Sequence, residues 1–314
     1  MAVGKLTLLH ALPPGTEMKW PSEFESRLRA QAGCLTQLPL TTLRVTGADR
    51  VDFLNRLLTQ QIDPDPAHPP RSCWAALCQA QGRVIGLFRV VVHPDAVVLL
   101  LESDLAPRVH DQLQRYVLRS RVRLEVGNAG RVMGGWGMPD QEWSHPSLAP
   151  THSLLGLDPP GFPLNRHLVL GPPPDPGPAL GSGSDPLWPM TDFWLGIPRI
   201  LAETSGLFVP HALHLTGIGA VSLHKGCYPG QEIVARTEYR GRIKRCLILI
   251  ETGTTHKPGS LLMADGPGEA AGTVLDSASL PGVGIWTQAV VAEEALDRSP
   301  EAFGGRVLRV FRPA

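Results

Sequence analysis

The stretch of the sequence with the densest mixture of special residues is Lys225-Gly226-Cys227-Tyr228-Pro229-Gly230-Gln231-Glu232. Glycine adopts backbone angles that other residues avoid, and proline forces the preceding residue into an extended conformation. We therefore expect a tight turn followed by a helix that begins near Pro229 or Gly230. Cys227 then lies just before a helix N-terminus, where free backbone amides, the helix dipole and Lys225 favour a thiolate. The stretch predicts a reactive or ligand-binding thiol, with a small buried cysteine as the alternative.

The sequence around this stretch alternates between strand patterns and isolated helix patterns. Helix patterns cover residues 22–28, 49–62 and 103–117, and strand patterns cover 39–45, 74–79, 84–92, 97–102, 122–126, 242–250 and 307–311. A steady alternation of strand and helix is missing, so an α+β class is expected rather than a doubly wound sheet. Residues 156–189 are rich in proline, glycine and serine and predict a flexible, irregular loop. Short strands after residue 243 indicate a small barrel or sandwich.

The composition excludes several classes of protein. The chain has 314 residues, is 43% hydrophobic and carries 29 basic and 29 acidic residues, which is typical of a globular protein with roughly two domains of about 150 residues each. A net charge of zero removes the bulk attraction of a general nucleic-acid or anionic-membrane binder. The 5 cysteines are irregularly spaced and favour a reducing cytoplasm over a disulfide framework. No apolar run reaches the roughly 18 residues of a membrane span, and no signal-peptide pattern is present.

Histidines near the central stretch offer a competing interpretation. His211-x-x-His214 and His224-x-x-Cys227 place four possible ligands for zinc or iron close together in the sequence. The alternation around the first two histidines equally fits ordinary core or surface positions, so we predict no metal site and keep zinc as an alternative. The phosphate loop, His-Glu-x-x-His, Cys-x-x-Cys and Gly-x-Ser-x-Gly patterns are absent, which disfavours the common nucleotide hydrolases and metalloproteases.

Aromatic and basic residues suggest where a ligand would bind. Trp188 and the Asp192-Phe193-Trp194 segment offer stacking surfaces for a flat heteroaromatic ring, although core filling is the commoner use of tryptophan. The stretch 225–245 carries six basic residues against two acidic ones. Such a patch can hold an anionic tail, such as glutamate carboxylates or a phosphate, or can be an ordinary solvated face.

The central stretch, followed by Ala235 and Arg236, resembles the signature of the YgfZ family, folate-binding relatives of the aminomethyltransferase T protein of glycine cleavage. The likeness extends to residues 43–49, 196–198 and 208–210 and covers most of residues 40–250. It implies a three-part ring in which two interleaved α+β lobes (residues 1–242) form a folate-binding domain. Residues 243–314 would be a C-terminal β-barrel that closes the ring around a central folate channel.

The resemblance also implies a function. It indicates a cytoplasmic folate-binding accessory protein for iron-sulfur cluster assembly or repair, which supports iron-sulfur enzymes including those that methylthiolate tRNA. Cys227 would be the key thiol, with Lys225 beside it in a catalytic role. The ligand would be tetrahydrofolate or a one-carbon-substituted folate, with implied contacts at Trp188, Trp194, Tyr228, Gln231, Glu232 and Arg236. We expect a monomer whose partners are iron-sulfur enzymes or assembly factors, without direct RNA contact.

Two departures from the family pattern bear on activity. The aminomethyltransferases carry a carboxylate in a Gly-x-Val-Ile-Asp-Asp type segment, and here the matching run ends in Gly86-Leu87. Without that acid aminomethyl transfer is not expected, and a tetrahydrofolate-dependent one-carbon transferase with another acid is kept as the alternative. The folate-recognising acid of the family is replaced at Trp194-Leu195-Gly196, which leaves Asp192 and Glu203 as candidate substitutes.

Overall fold

The computed structural model describes residues 20–63, 72–127, 131–137, 153–156, 165–171, 180–181, 185–240, 244–263, 270–296 and 303–312. Its helices are α1 (Ser22–Arg29), α2 (Arg50–Asn55), α3 (Ala106–Gln114), α4 (Leu187–Trp194), α5 (Gln231–Arg240) and α6 (Glu293–Leu296), with 3-10 turns at Ser103–Leu105 and Pro210–Leu213. Its strands are β1 (Leu35–Gln37), β2 (Leu40–Thr46), β3 (Ser72–Cys78), β4 (Val84–Val92), β5 (Ala96–Glu102), β6 (Arg123–Val126), β7 (Arg131–Gly137), β8 (Ser153–Gly156), β9 (Asn165–Gly171), β10 (Leu180–Gly181), β11 (Arg245–Thr252), β12 (Leu261–Met263), β13 (Ala270–Leu280), β14 (Gly284–Ala292) and β15 (Gly305–Phe311).

These elements confirm the α+β class and most of the predicted strands. They form three five-stranded sheets with the orders β10-β1-β7-β9-β8, β3-β4-β5-β2-β6 and β12-β13-β14-β11-β15. Helices and strands group by contact into two compact units, each assembled from separate stretches of the chain. Unit 1 comprises residues 1–51, 63–73 and 89–187, and unit 2 comprises residues 52–62, 74–88 and 188–314. A domain boundary at residues 242 and 243, the ring and the barrel closure stay predictions.

Unit 1 is built on apolar residues spaced for one-sided burial. In α1, Phe24 and Leu28 are four residues apart, so they share one helix face, and both are fully buried. Strand β2 pairs antiparallel with β5 on one side and with β6 on the other. Trp136 in β7 is also fully buried, and its backbone bonds with Cys34. The unit therefore buries apolar side chains from both helices and strands.

Unit 2 contains the antiparallel sheet of the C-terminal strands. Alternate residues of β11 point to opposite faces of this sheet. One face belongs to a compact apolar cluster whose buried members are Cys246, Ile248, Ile250, Leu262, Ala271, Val274, Ala289, Val291 and Phe303. Leu247 and Leu249 on the other face are buried as well. Both faces of β11 are thus covered.

The prediction that residues 156–189 are irregular throughout is wrong at their centre. Strand β9 occupies Asn165–Gly171 and pairs with β7 and with β8. The physical reason is local: Leu168, Val169 and Leu170 are all buried, and this apolar run outweighs the proline and glycine around it. Residues 157–164, 172–179 and 182–184 lie outside the described part of the chain.

The helix predicted over residues 49–62 is shorter than expected and ends at Asn55. Leu58 instead forms an isolated antiparallel bridge with Leu77.

Within the described residues, no helix combines the length and the apolar character required to cross a membrane.

Candidate functional site

The central stretch forms an exposed turn that leads into α5. Cys227 is a free cysteine on the surface, four residues before Gln231, where the helix begins. Gly230 between them has φ +82°, a left-handed conformation that glycine adopts without steric cost. The predicted turn and helix start are therefore confirmed. The alternative of a small buried cysteine is wrong, because the thiol side chain is exposed.

The turn packs directly against the loop between β3 and β4. A Cβ atom added to Gly230 would lie 2.5 Å from the Gln79 carbonyl oxygen and 2.6 Å from Gly82 Cα. Gly82 is also in a left-handed conformation, and a Cβ there would lie 3.0 Å from Ile233 Cβ on α5. A side chain at position 230 would collide with backbone atoms, and one at position 82 would crowd Ile233 in a left-handed conformation, so glycine is favoured at both positions. This contact fixes the start of α5 and hence the position of Cys227.

Lys225 anchors the other end of the turn. Its ammonium group donates hydrogen bonds to the backbone carbonyls of Asn55 at 2.7 Å, Leu58 at 2.6 Å and Gln60 at 3.2 Å. Its Nζ also lies 5.4 Å from the centre of the Tyr228 ring. Because α2 ends at Asn55, the cation satisfies a carbonyl at the C-terminal end of this helix and two carbonyls of the segment that follows it. The geometry gives Lys225 an anchoring role, and a catalytic role stays a prediction.

Residues 59 and 60 tie the same segment down by further bonds. Thr59 Oγ1 donates to the Ala220 carbonyl at 2.6 Å, and Gln60 Nε2 donates to the Gly219 carbonyl at 2.7 Å. Gln231 Nε2 donates to the Lys225 carbonyl at 3.2 Å, which connects the first residue of α5 back to the turn. The chain before Cys227 is thus fixed along its length, while the thiol itself faces outward.

The other predicted ligand contacts, in the turn and on α5, are split between interior and surface. Tyr228 is buried, and its hydroxyl has no hydrogen-bond partner among the described residues. Burial, and secondarily Cys78, raises the pKa of this phenol well above its usual value. Glu232 and Arg236 are exposed on α5 one helical turn apart. Both side chains are therefore accessible to a ligand or partner at the protein surface.

Burial separates Cys227 from the two interior cysteines. It raises the pKa of the Cys78 thiol to about 12. It also raises the pKa of the Cys246 thiol to about 11, with Glu293 as a smaller cause. Both groups remain protonated near neutral pH, and a protonated thiol is a poor nucleophile. Cys227 is exposed to solvent, whereas Cys34 and Cys73 are half-buried.

The structure does not bring the four possible metal ligands together. His211 is fully buried and its Nε2 lies 2.8 Å from Glu238 Oε2 on α5. His214 has a left-handed backbone with φ 59°, and burial lowers its pKa to about 4, with Arg309 as a smaller cause. His224 is exposed. Within the described ranges, no three histidine, cysteine, aspartate or glutamate side chains are grouped as a metal site requires.

The two tryptophans predicted to contact a flat ligand lie on α4. Both are buried, with exposed fractions of 7% for Trp188 and 8% for Trp194. Trp194 stacks on Trp286 with ring centres 5.3 Å apart, and the Arg309 guanidinium lies 5.3 Å from its ring centre. A cation therefore lies beside Trp194, where the family resemblance places an acid.

The positions of the missing carboxylate are interior. Gly86 and Leu87 are both buried in β4. Asp192 is half-buried on α4 and Glu203 is exposed. Gly86 and Leu87 themselves offer no acidic side chain, as the sequence already shows.

Three functional contacts escaped the sequence analysis: the Lys225 carbonyl cage, the Glu238 partner of His211 and Arg309 beside Trp194. Each joins residues that are far apart in the sequence, from 27 positions between His211 and Glu238 to 170 positions between Lys225 and Asn55. The sequence contains a signal for one of these contacts only, namely the presence of Lys225 in the turn. The periodicity of single elements carries no information about such pairings.

Comparison with known proteins supports a single family. No family model matches the sequence. The "tRNA-modifying protein YgfZ" of Pectobacterium atrosepticum is 27% identical over 306 residues, covering 90% of this chain and 89% of that protein. The protein of the same name from Yersinia pestis is 28% identical over 288 residues, covering 81% of this chain and 85% of that protein.

The crystal structure of glycine cleavage system aminomethyltransferase T from Bartonella henselae matches with TM-score 0.52 and 12% identity, over 88% of this chain and 84% of that chain. At this identity the structural likeness shows the fold alone.

Proposed function

Since the chain is a member of the YgfZ family, related to the glycine-cleavage aminomethyltransferases, we propose that it is a folate-binding accessory protein of iron-sulfur enzymes. It would act in the assembly or repair of their clusters, and the enzymes it supports would include those that methylthiolate tRNA. Cys227 would be its essential group. The name of the relatives, which calls them tRNA-modifying proteins, supports the link to tRNA.

The observation that carries the proposal is the exposed thiol on a turn fixed from both sides. Lys225 holds the start of the turn by three hydrogen bonds, and the Gly230 contact with the β3–β4 loop holds its end. A thiolate is a ligand for iron and a nucleophile toward sulfur. A fixed backbone with an outward thiol suits delivery to a partner protein, because little conformational freedom is lost on contact.

The folate part of the proposal rests on the fold and on the aromatic residues of α4. The folate would be tetrahydrofolate or a one-carbon-substituted form, with Trp188 and Trp194 as stacking surfaces and Tyr228, Gln231, Glu232 and Arg236 as further contacts. The stacked pair of Trp194 and Trp286 supports this assignment, since such pairs provide flat apolar walls. Calorimetric titration with tetrahydrofolate tests binding, and a Trp188→Ala variant that binds as tightly as the wild type would remove Trp188 from the site.

The experiment that tests the accessory role is rescue of iron-sulfur enzyme activity in cells that lack their own copy of this protein. Wild type, Cys227→Ala and Cys34→Ala are compared at equal soluble expression. Cys34 is a half-buried free cysteine in unit 1 and serves as the matched control. We expect rescue by the wild type and by Cys34→Ala and no rescue by Cys227→Ala. Equal rescue by all three would show that the accessory role does not require the Cys227 thiol.

The alternative function is transfer of a one-carbon unit by tetrahydrofolate. It predicts release of formaldehyde, or formation of methylene-tetrahydrofolate, from an aminomethyl substrate. The absence of an acid at Gly86 and Leu87 argues against it. Turnover in that assay, together with failure of the rescue, would favour the transferase over the accessory role.

A further inference from the structure

Arg309 is a half-buried cation that the proposed function does not use. It lies on β15, with its guanidinium carbon 5.3 Å from the Trp194 ring centre and 5.1 Å from the Phe311 ring centre. Its Nη1 donates to the Trp194 carbonyl at the end of α4. No carboxylate of the described residues forms an ion pair with it. Burial therefore lowers the pKa of Arg309 with no opposing anion, although it stays charged at neutral pH.

The sheet register places Arg309 in a row with another polar side chain. Leu249 on β11 lies opposite Gln288 on β14 and opposite Arg309 on β15. Residues directly opposite in antiparallel strands share a face, so all three point to the same side. Gln288 is fully buried, and its Oε1 has no partner among the described residues. This face differs from the other face of the sheet, which is an apolar cluster.

The rings around Arg309 are seated against glycines. A Cβ on Gly196 would lie 2.5 Å from the Phe311 ring, and a Cβ on Gly217 would lie 2.0 Å from the His214 ring. The His214 and Phe311 ring centres are 5.3 Å apart. His214 Nδ1 is buried and has no partner in the described part of the chain. His214 also keeps a left-handed backbone, which is strained for a non-glycine residue. A strained residue with an unsatisfied nitrogen beside an unpaired cation indicates a place built for a ligand.

We propose that Arg309, flanked by Trp194, Phe311 and His214, is the centre of an oxyanion-binding site within unit 2. The site takes the carboxylate or phosphate group of a small molecule. The planar guanidinium presents two parallel N–H groups to two oxygens, and the aromatic rings on either side hold that plane in position. The neutral imidazole of His214 offers an acceptor to a protonated oxygen. The unpaired Gln288 Oε1 can accept from an N–H or O–H group farther along the same ligand.

The assignment stands without the proposed function. Two sources of the oxyanion fit: free phosphate, or a carboxylate of a glutamyl ligand such as a folate. The probes that separate them are inorganic phosphate, L-glutamate, tetrahydrofolate and a tetrahydropterin that lacks the glutamyl tail. Isothermal titration calorimetry at constant ionic strength measures each of them against the wild type.

The test compares Arg309→Gln with Arg306→Gln. Arg306 lies on the same strand, is exposed and pairs with Glu251 at 2.8 Å, so its loss removes the same charge outside the site. We expect Arg309→Gln to weaken binding of the oxyanion that the wild type binds by at least about tenfold, corresponding to about 1.4 kcal/mol, and Arg306→Gln to leave it unchanged. Arg309→Lys keeps the charge and loses the fork. Arg309→Lys should therefore also bind the oxyanion less tightly than the wild type. If Arg309→Gln does not fold, Arg309→Lys is the variant that tests the site.

The outcomes separate this site from the proposed function. Loss of tetrahydrofolate affinity in Arg309→Gln, with unchanged affinity for the tailless pterin, identifies a glutamyl carboxylate as the occupant. Phosphate binding that depends on Arg309, with no binding of tetrahydrofolate to the wild type, keeps the site and overturns the folate proposal. Tetrahydrofolate binding that is equal in wild type and Arg309→Gln, with no phosphate or glutamate binding, overturns the oxyanion site alone.

Discussion

Replacing Lys225 with methionine tests the anchor beneath the exposed thiol. Methionine keeps most of the length of the side chain and removes the ammonium, so the carbonyls of Asn55, Leu58 and Gln60 lose their donor. Two of the three bonds are short, at 2.7 and 2.6 Å, and the third is 3.2 Å. Bonds to charged groups contribute about 1.5 to 3 kcal/mol each, and solvent competes at this half-buried site, so we expect a loss of about 3 kcal/mol in the free energy of unfolding.

The measurement is urea unfolding of Lys225→Met, Lys225→Arg and the control Lys257→Met. Lys257 is exposed in the same unit, and its side chain forms no hydrogen bond or ion pair with the described residues. The arginine variant keeps the charge, but its planar fork fits three converging carbonyls less well, so its loss should be intermediate. A Lys225→Met protein that unfolds at the same urea concentration as Lys257→Met would refute the anchoring role. Rescue at the wild-type level by Lys225→Met would show in addition that the anchor does not serve Cys227.

Gly230→Ala should destabilise the protein by about 2 to 4 kcal/mol, because the new Cβ meets backbone atoms at 2.5 and 2.6 Å in a left-handed residue. Gly226→Ala, where nothing lies within 4 Å, should be nearly neutral in the same urea titration. His211→Ala should cost about 2 to 4 kcal/mol, since it opens a cavity and removes the 2.8 Å bond to Glu238. Glu238→Gln keeps a hydrogen-bonding group and should lose less than half as much, so equal melting temperatures of the two variants would contradict this assignment. Burial lowers the pKa of His214 from 6.5 in the unfolded chain to about 4 in the folded protein. Between these two values the unfolded chain binds more protons than the folded protein. The free energy of unfolding therefore falls as the pH drops from 6.5 to 4, by up to about 3 kcal/mol. His214→Asn, which tolerates the left-handed backbone, should reduce the fall in unfolding free energy measured between pH 7 and pH 4.5, and an unchanged fall would exclude His214 as its source.

The parts of the site that the sequence predicted are those specified by neighbouring residues. Glycine at positions 226 and 230 and proline between them predict a turn and a helix start, since each restricts or frees its own backbone angles. The same holds for β4 and β5, whose β-branched and aliphatic runs lie between turn residues. The exposed Cys227 thiol agrees with a reactive thiol and not with a buried cysteine, and the close packing of Gly230 on the β3–β4 loop fixes the start of α5 beside it.

The parts that could not be predicted depend on contacts between distant residues. The apolar periodicity of residues 51–62 favours a long helix, but α2 ends at Asn55, where Leu58 bridges to Leu77 and Lys225 binds the carbonyls of Asn55 and Leu58. Likewise, Arg309 is one arginine among many in the sequence, and only the register of β15 with β11 places it beside Trp194. Sheet register and tertiary capping are decided by the whole chain, so local patterns do not contain them.

The contrast among the cysteines explains why the anchor matters for function. Burial holds Cys78 and Cys246 as protonated thiols, with pKa values near 12 and 11, so neither competes with Cys227 for an electrophile or a metal near neutral pH. Exposure alone would leave Cys227 on a mobile loop, where each encounter with a partner costs the entropy of ordering several residues. The lysine bonds and the glycine contact fix the backbone on both sides of the thiol. This entropy is therefore lost when the protein folds and not when it binds a partner. Loss of the anchor and loss of the thiol should therefore act on one step, and their effects on rescue should be less than additive when the two changes are combined.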